Sequence, residues 1–287
     1  MLRPLTRTDG VGRSALAAFL RHPRYEILPT EGAADLVAAH VPKEVRITVT
    51  ASPRRGMEAT LRVAEALARQ GYTVVPHLSA RLIKDRAHLT EILDAVSAMG
   101  VDDVFVVAGD AQEPAGEFPD SVTLLNAMAG HPALKEVGVT GYPESHSFID
   151  DDLTIQAMWD KRRVATYIVS NLCFDPRTVK RWVNRVRKRR VELPIFIGMA
   201  GVADPAKLLR VSTRIGIAES ARFLRGHSNW FLRMLQPRGY EPGRFISSLM
   251  PDLAAAERKV AGVHVFTFNE IEPTERWRQE MLAHLGR

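Results

Sequence analysis

The chain reads as an α/β protein, a (β/α)₈ TIM barrel with an extra helix before its first strand and an insertion between its seventh and eighth strands. Three observations carry that expectation. First, six hydrophobic, β-branched runs each end in a residue able to donate or accept a proton: Glu26, Thr50, His77, Asp110, Tyr142 and Asn171. The intervals are 24, 27, 33, 32 and 29 residues, the length of a strand plus a returning helix, so the six side chains belong on one rim of a parallel sheet. Second, the apolar period between the runs changes from two to that of a helix, as at Met57, Leu61, Ala64 and Ala68, and at Leu89, Leu93, Val96 and Met99. Third, 287 residues suit one barrel, since barrels routinely run to about 250 residues as a single domain. The expectation is one domain over 1–287.

Taken in chain order, the Arg-rich start (Arg3, Arg7, Arg13) with the apolar run Ala15 to Leu20 predicts a short helix packed under the barrel rather than a leader segment. The predicted strands are Tyr25–Pro29, Val45–Thr50, Thr73–Leu78, Asp103–Ala108, Val137–Gly141, Thr166–Phe174, Pro194–Met199 and Val263–Asn269. Gly71 and Gly100 stand where helices should stop, and Asp204-Pro205 reads as an N-cap followed by proline at the first helical position. Residues 199–262 span about twice the usual interval and contain Gly226, Pro237, Gly239, Pro242 and Gly243. They read as an insertion of helices and loops above the barrel, where ligand-binding elaborations accumulate.

Composition excludes several classes. With 46% hydrophobic and 25% charged residues the chain can build a sizeable core and is not disordered. The net charge of +6 and pI near 9.7 suit an anionic ligand. The basic residues are scattered, however, except from Lys180 to Arg190. There Arg181, Arg185, Lys188 and Arg189 alternate with Trp182, Val183 and Val186, which is the pattern of a solvated helix face, so no nucleic-acid partner is expected. Cys173 is the only cysteine, which excludes an intrachain disulfide and fits a reducing cytoplasm. No apolar run approaches the roughly 18 residues of a membrane span.

Glu26 lies in Tyr25-Glu26-Ile27-Leu28-Pro29, a run too apolar to leave a carboxylate in bulk water; desolvation there favours the neutral acid and suits a general acid. Outward exposure, or pairing with Arg24 or Arg46, is the equal alternative. Asp110 follows Val104–Gly109, where the glycine lets backbone approach a ligand and the carboxylate can face a heterocycle or a cationic intermediate; a helix N-cap or turn aspartate is the competing reading. His77 reads either as a core histidine or as part of the rim. Tyr142-Pro143-Glu144-Ser145-His146 gathers three polar groups just past a strand, and Asn171 offers an amide that can read a pterin or pyrimidine edge. Phe223 offers a stacking platform or an ordinary core ring. No Gly-x-Gly-x-x-Gly, no P-loop and no His/Cys cluster of metal spacing occurs. A nicotinamide or flavin would therefore bind on the barrel rim.

Together, Glu26 with Leu28-Pro29, Thr50 at the end of strand two, Pro76-His77-Leu78, Gly109-Asp110 and Gly141-Tyr142-Pro143-Glu144-x-His146 resemble the methylenetetrahydrofolate reductase family, in order and spacing, from about Arg24 to Leu282. The resemblance implies a (β/α)₈ barrel that reduces 5,10-methylenetetrahydrofolate to 5-methyltetrahydrofolate with NADH, or NADPH as the alternative donor, usually through bound FAD. It implies Glu26 as the acid that opens the imidazolidine ring to a 5-iminium cation. By the same resemblance Asp110 stands near the pterin, Asn171 and Phe223 contact substrate, and Thr50, His77, Tyr142, His146 and Lys161 line the cofactor site. Two departures bear on FAD. Ala108 stands where the family usually has Arg before Gly-Asp. Met158-Trp159-Asp160-Lys161-Arg162-Arg163-Val164-Ala165 replaces the lysine-rich helix and Ala-Gly-Ala turn that grip the flavin phosphates. These point to weak or absent flavin and to hydride passing directly from NADH. The rival readings are another folate or pterin barrel such as a methyltransferase, and a non-enzymatic barrel that binds folate or nucleic acid.

Overall fold

The computed structural model describes residues 10–144, 158–203 and 240–286. Eight parallel strands close into a barrel in sequence order, β1 pairing with β8 to complete the ring. They are β1 (Arg24–Ile27), β2 (Arg46–Val49), β3 (Val74–Ser79), β4 (Asp103–Val107), β5 (Glu136–Gly141), β6 (Tyr167–Ser170), β7 (Ile195–Ala200) and β8 (Val260–Phe266). The described helices are α1 (Gly10–Arg21), α2 (Ala33–His40), α3 (Gly56–Arg69), α4 (Arg86–Ala98), α5 (Ser121–Met128), α6 (Pro176–Lys188), α7 (Pro242–Leu253) and α8 (Ile271–Leu285). The extra helix α1 packs on α7, α8 and β8.

All eight expected strands are present, with shifted ends. Strand six stops at Ser170 because Asp175 caps α6 and Pro176 occupies its first turn. Strand eight stops at Phe266 because Phe268 and Asn269 have φ of 52° and 62°, a conformation no strand continues through. The Asp204-Pro205 cap and much of the 199–262 insertion lie outside the described residues; α7 lies within that span and is described.

Alternation along each strand sorts the side chains into two cores. Val104, Val106, Val139, Ile168, Ile197 and Val265 face the helices in the main apolar cluster. Val75, Phe105, Tyr167 and Val169, with Val107 and Phe196, fill the barrel itself. Gly138 makes room for them: a Cβ there would sit 2.3 Å from the Tyr167 ring and 2.6 Å from that of Phe105.

The amino-terminal mouth is closed by charge. Arg24, Arg46, Asp103, Glu136 and Tyr167 are the first residues of five strands. Arg24 lies between the Tyr167 and Phe196 rings at 4.1 and 4.2 Å and pairs with Asp103 at 3.1 Å. Arg46 reaches Asp103 at 2.7 Å and Glu136 at 2.8 Å, and the Tyr167 hydroxyl donates to Asp103 at 2.7 Å. The arginines considered as partners for Glu26 are thus taken by other carboxylates. Glu26 lies farther along β1, toward the other mouth.

Candidate functional site

Parallel closure brings all eight strand ends to one face, so Glu26, Thr50, His77, Asp110, Tyr142 and Asn171, in or just past β1 to β6, lie toward the carboxyl-terminal mouth. Alternation turns Arg24 and Glu26 into the barrel while Tyr25 faces out to Glu275 on α8. The Glu26 carboxylate lies 3.0 Å from His264 Nε2 and 3.7 Å from His77 Nε2. Its backbone carbonyl accepts from the Thr267 hydroxyl at 2.6 Å and from the Thr267 N–H at 3.2 Å. Asn269, whose φ is 62°, clamps the next turn: its Oδ1 accepts from Leu28 N–H and its Nδ2 donates to Thr30 Oγ1, each at 2.8 Å. The end of β8 therefore fixes both the backbone and the carboxylate of Glu26.

One proton serves the short Glu26–His264 contact. The donor is His264 Nε2 when the ring nitrogen carries that proton, and Glu26 when the carboxyl does. His77 is held uncharged, its pKa lowered to about 4, chiefly because burial disfavours the imidazolium; the Glu26 carboxylate opposes this and His264 adds to it. Around the pair, the buried Thr48 Oγ1, Thr50 Oγ1, Ser79 Oγ, His77 Nε2 and His264 Nδ1 have no hydrogen-bond partner among the described residues. Buried polar atoms are ordinarily paired, so this concentration marks a surface prepared for a polar ligand or solvent.

Of the remaining predicted residues, Thr50, Asp110, Tyr142 and Asn171 follow the carboxyl ends of β2, β4, β5 and β6. Thr50 donates its N–H to Ile27 O at 3.0 Å, beside Glu26. Asn171, just past β6, donates its N–H to Gly141 O at 2.7 Å, beside Tyr142, while its Oδ1 accepts from Leu172 N–H. Asp110 stands exposed in the β4–α5 loop, its carboxyl raised above the usual range by desolvation. Its charge is felt at Tyr142, whose hydroxyl pKa is raised first by burial and then by Asp110. The helix cap considered for Asp110 belongs to Asp120, which accepts from Val122 and Thr123 N–H. The close backbone approach that Gly109 permits is to a side chain of the protein: with φ of 93°, a Cβ there would lie 2.0 Å from Ser79 Oγ. Lys161 is half-buried, and burial lowers its pKa against the pull of Asp120. His146 and Phe223 lie outside the described residues.

Residue-by-residue reading missed His264, Thr48 and Ser79. His264 carried the same signal as His77, an imidazole at an alternate position of an apolar strand (Val263-His264-Val265). Nothing local tied it to Glu26.

The family model of methylenetetrahydrofolate reductase matches residues 30–219, well over half of the chain. The chain belongs to the methylenetetrahydrofolate reductase family. Among solved structures, this member of the family is similar to an uncharacterized protein from Clostridium thermocellum that binds two copies of 5-methyl-5,6,7,8-tetrahydrofolic acid. The two share 13% identity and a TM-score of 0.60 over 94% of this chain and 99% of that one. At that identity the likeness establishes the fold. A structure from Burkholderia cenocepacia described as a candidate lyase/mutase matches at 15% identity and a TM-score of 0.45, over 82% of this chain and all of that one. Among the described residues no group of three or more His, Cys, Asp or Glu side chains is arranged to hold a metal ion, and no helix is long and apolar enough to cross a membrane.

Proposed function

We propose that the chain is a single-domain reductase of one-carbon metabolism, converting 5,10-methylenetetrahydrofolate to 5-methyltetrahydrofolate with NADH, or NADPH, as hydride donor. The carrying observation is the inward Glu26 carboxylate, 3.0 Å from His264 Nε2, in a barrel whose buried Thr48, Thr50 and Ser79 hydroxyls have no partner among the described residues. The reaction consumes one proton and one hydride. Glu26 delivers the proton to the bridging nitrogen, the imidazolidine ring opens, and the resulting iminium carbon accepts hydride from the reduced nicotinamide. His264 orients the Glu26 carboxyl and shares its proton, while an uncharged His77 adds no competing cation. Asp110 offsets the iminium charge from the rim, Asn171 reads the pterin edge and Phe223 contacts substrate. Thr50, His77, Tyr142, His146 and Lys161 line the space for the nicotinamide. The folate bound by the Clostridium thermocellum protein supports the choice of substrate class.

The family usually carries flavin, and the segment at 158–164 lacks the glycine and the outward Arg162 that would grip its pyrophosphate, leaving Lys161 and the exposed Arg163 to neutralise phosphates. Such a site needs backbone N–H groups free to approach and cations free to turn outward. Here the Arg162 guanidinium lies 3.5 Å from the centroid of the Trp159 ring and donates to Trp159 O at 2.5 Å. It is turned back on its own segment, which has no glycine. The proposal is therefore direct transfer from nicotinamide to folate. Purified protein should lack the visible absorbance of a stoichiometric flavin and should oxidise NADH anaerobically with methylenetetrahydrofolate, with no gain from added FAD. A full flavin band, or turnover only with FAD, refutes direct transfer. Glu26→Gln should lower turnover at least about tenfold, from the usual contribution of general acid catalysis. Nearly intact turnover would favour a folate barrel that needs no acid, such as a methyltransferase.

A further inference from the structure

The loop carrying Asp110 runs from Ala108 to Asp120 between β4 and α5, long for a connection of this kind. A free loop of that length would spread a rim carboxylate over many positions. Two residues outside the loop restrain it: Lys84 O accepts from Glu117 N–H at 2.8 Å near its far end, and Arg81 holds the part that carries Asp110. Arg81, in the 3₁₀ turn Ala80–Leu82 that follows β3, donates its backbone N–H to Ala108 O at 3.0 Å and accepts from Ala115 N–H at 3.0 Å. Its guanidinium donates from Nη1 to Ala111 O at 2.8 Å and Gln112 O at 3.1 Å, and from Nε to Pro119 O at 2.9 Å. The carbonyls two residues before Asp110 and one residue after it are thus held by the same amino acid. Between them Gly109 packs against Ser79, leaving no room for a side chain.

We propose that Arg81 is a positioning residue that sets where the Asp110 carboxylate stands over the barrel mouth. The assignment rests on the reading of Asp110 as a site residue. Among the described residues Arg81 bonds the backbone of the loop, and it is assigned to act through that backbone rather than by touching substrate or nicotinamide. Its planar fork supplies donors in two directions at once, which a lysine ammonium on a flexible stem does not reproduce.

The test is a double-mutant cycle with Arg81→Ala, Arg81→Lys and Asp110→Asn, reading kcat and KM for methylenetetrahydrofolate reduction, with hydrogen exchange of the loop amides alongside. Misplacing a reacting group by about 1 Å costs on the order of a hundredfold. Arg81→Ala should therefore lower kcat by about ten- to a hundredfold in the wild-type background, and by less than about twofold once Asp110 is already Asn. Arg81→Lys should recover only part of the loss, and it carries the cycle if the alanine variant does not fold. Exchange at Ala115, whose bond to the Arg81 carbonyl the substitution leaves chemically intact, should accelerate. Equal losses in both backgrounds would show a merely structural role and overturn the proposal, as would no loss in either. Unchanged exchange at Ala115 would also overturn it, and that readout needs no turnover. A wild-type protein inactive on folate would sink the reading of the site, leaving the exchange arm to decide Arg81 by itself.

Discussion

Protonation of His77 should be coupled to folding with a sign and size that follow from its burial. The side chain is 8% exposed and its pKa is lowered to about 4, against about 6.5 in an unfolded chain. Between these values the unfolded state binds the proton that the native state refuses, so stability rises with pH across the window. The contribution is fully present above about pH 6.5 and is lost as pH falls toward 4. At about 1.4 kcal/mol per pKa unit the loss amounts to about 2 kcal/mol near pH 5 and about 3 kcal/mol near pH 4. The assay is urea denaturation of wild type and His77→Asn at intervals from pH 7.5 to 4. Other titrating groups act on both proteins, so the difference between the two curves isolates the imidazole. The wild type should lose about 3 kcal/mol more than the variant over that range. Parallel curves would show that the ring is not held uncharged in the barrel and would refute the reasoning.

Gly109→Ala combines a φ of 93° with a contact of 2.0 Å to Ser79 Oγ, and should cost about 1–3 kcal/mol in urea; Ser79→Ala should relieve the steric part of that cost and leave the backbone part. Arg24→Met removes a guanidinium held between two rings and paired with a buried carboxylate. About 3 kcal/mol should be lost, and adding Asp103→Asn should return part of it, since no charge is then left buried with half its partners. Additive losses in that pair, read from denaturation midpoints, would show that the two residues are not coupled.

Much of the architecture was legible from local pattern. Periods of two and 3.6 are properties of a few successive side chains, and they placed all eight strands and the rim on which Glu26, Thr50, His77, Asp110, Tyr142 and Asn171 gather. Strand ends were less legible: Phe174 and Asn269 look strand-like by composition, while a capped proline and two positive φ angles stop the chain before them. The partnership of Glu26 had no local signature. Arg24 and Arg46 are near it in sequence, yet alternation and register deliver them to Asp103 and Glu136, leaving Glu26 to a histidine 238 residues away. That choice was made when β8 closed onto β1. Likewise Asp110 announced itself by position, but the arginine that holds its loop comes from the turn after the preceding strand. Period and composition are short-range quantities, and the sequence determined what they govern: which residues face inward and at which mouth. Which inward groups meet depends on the stagger of a closed ring of strands, and that only the tertiary structure decided.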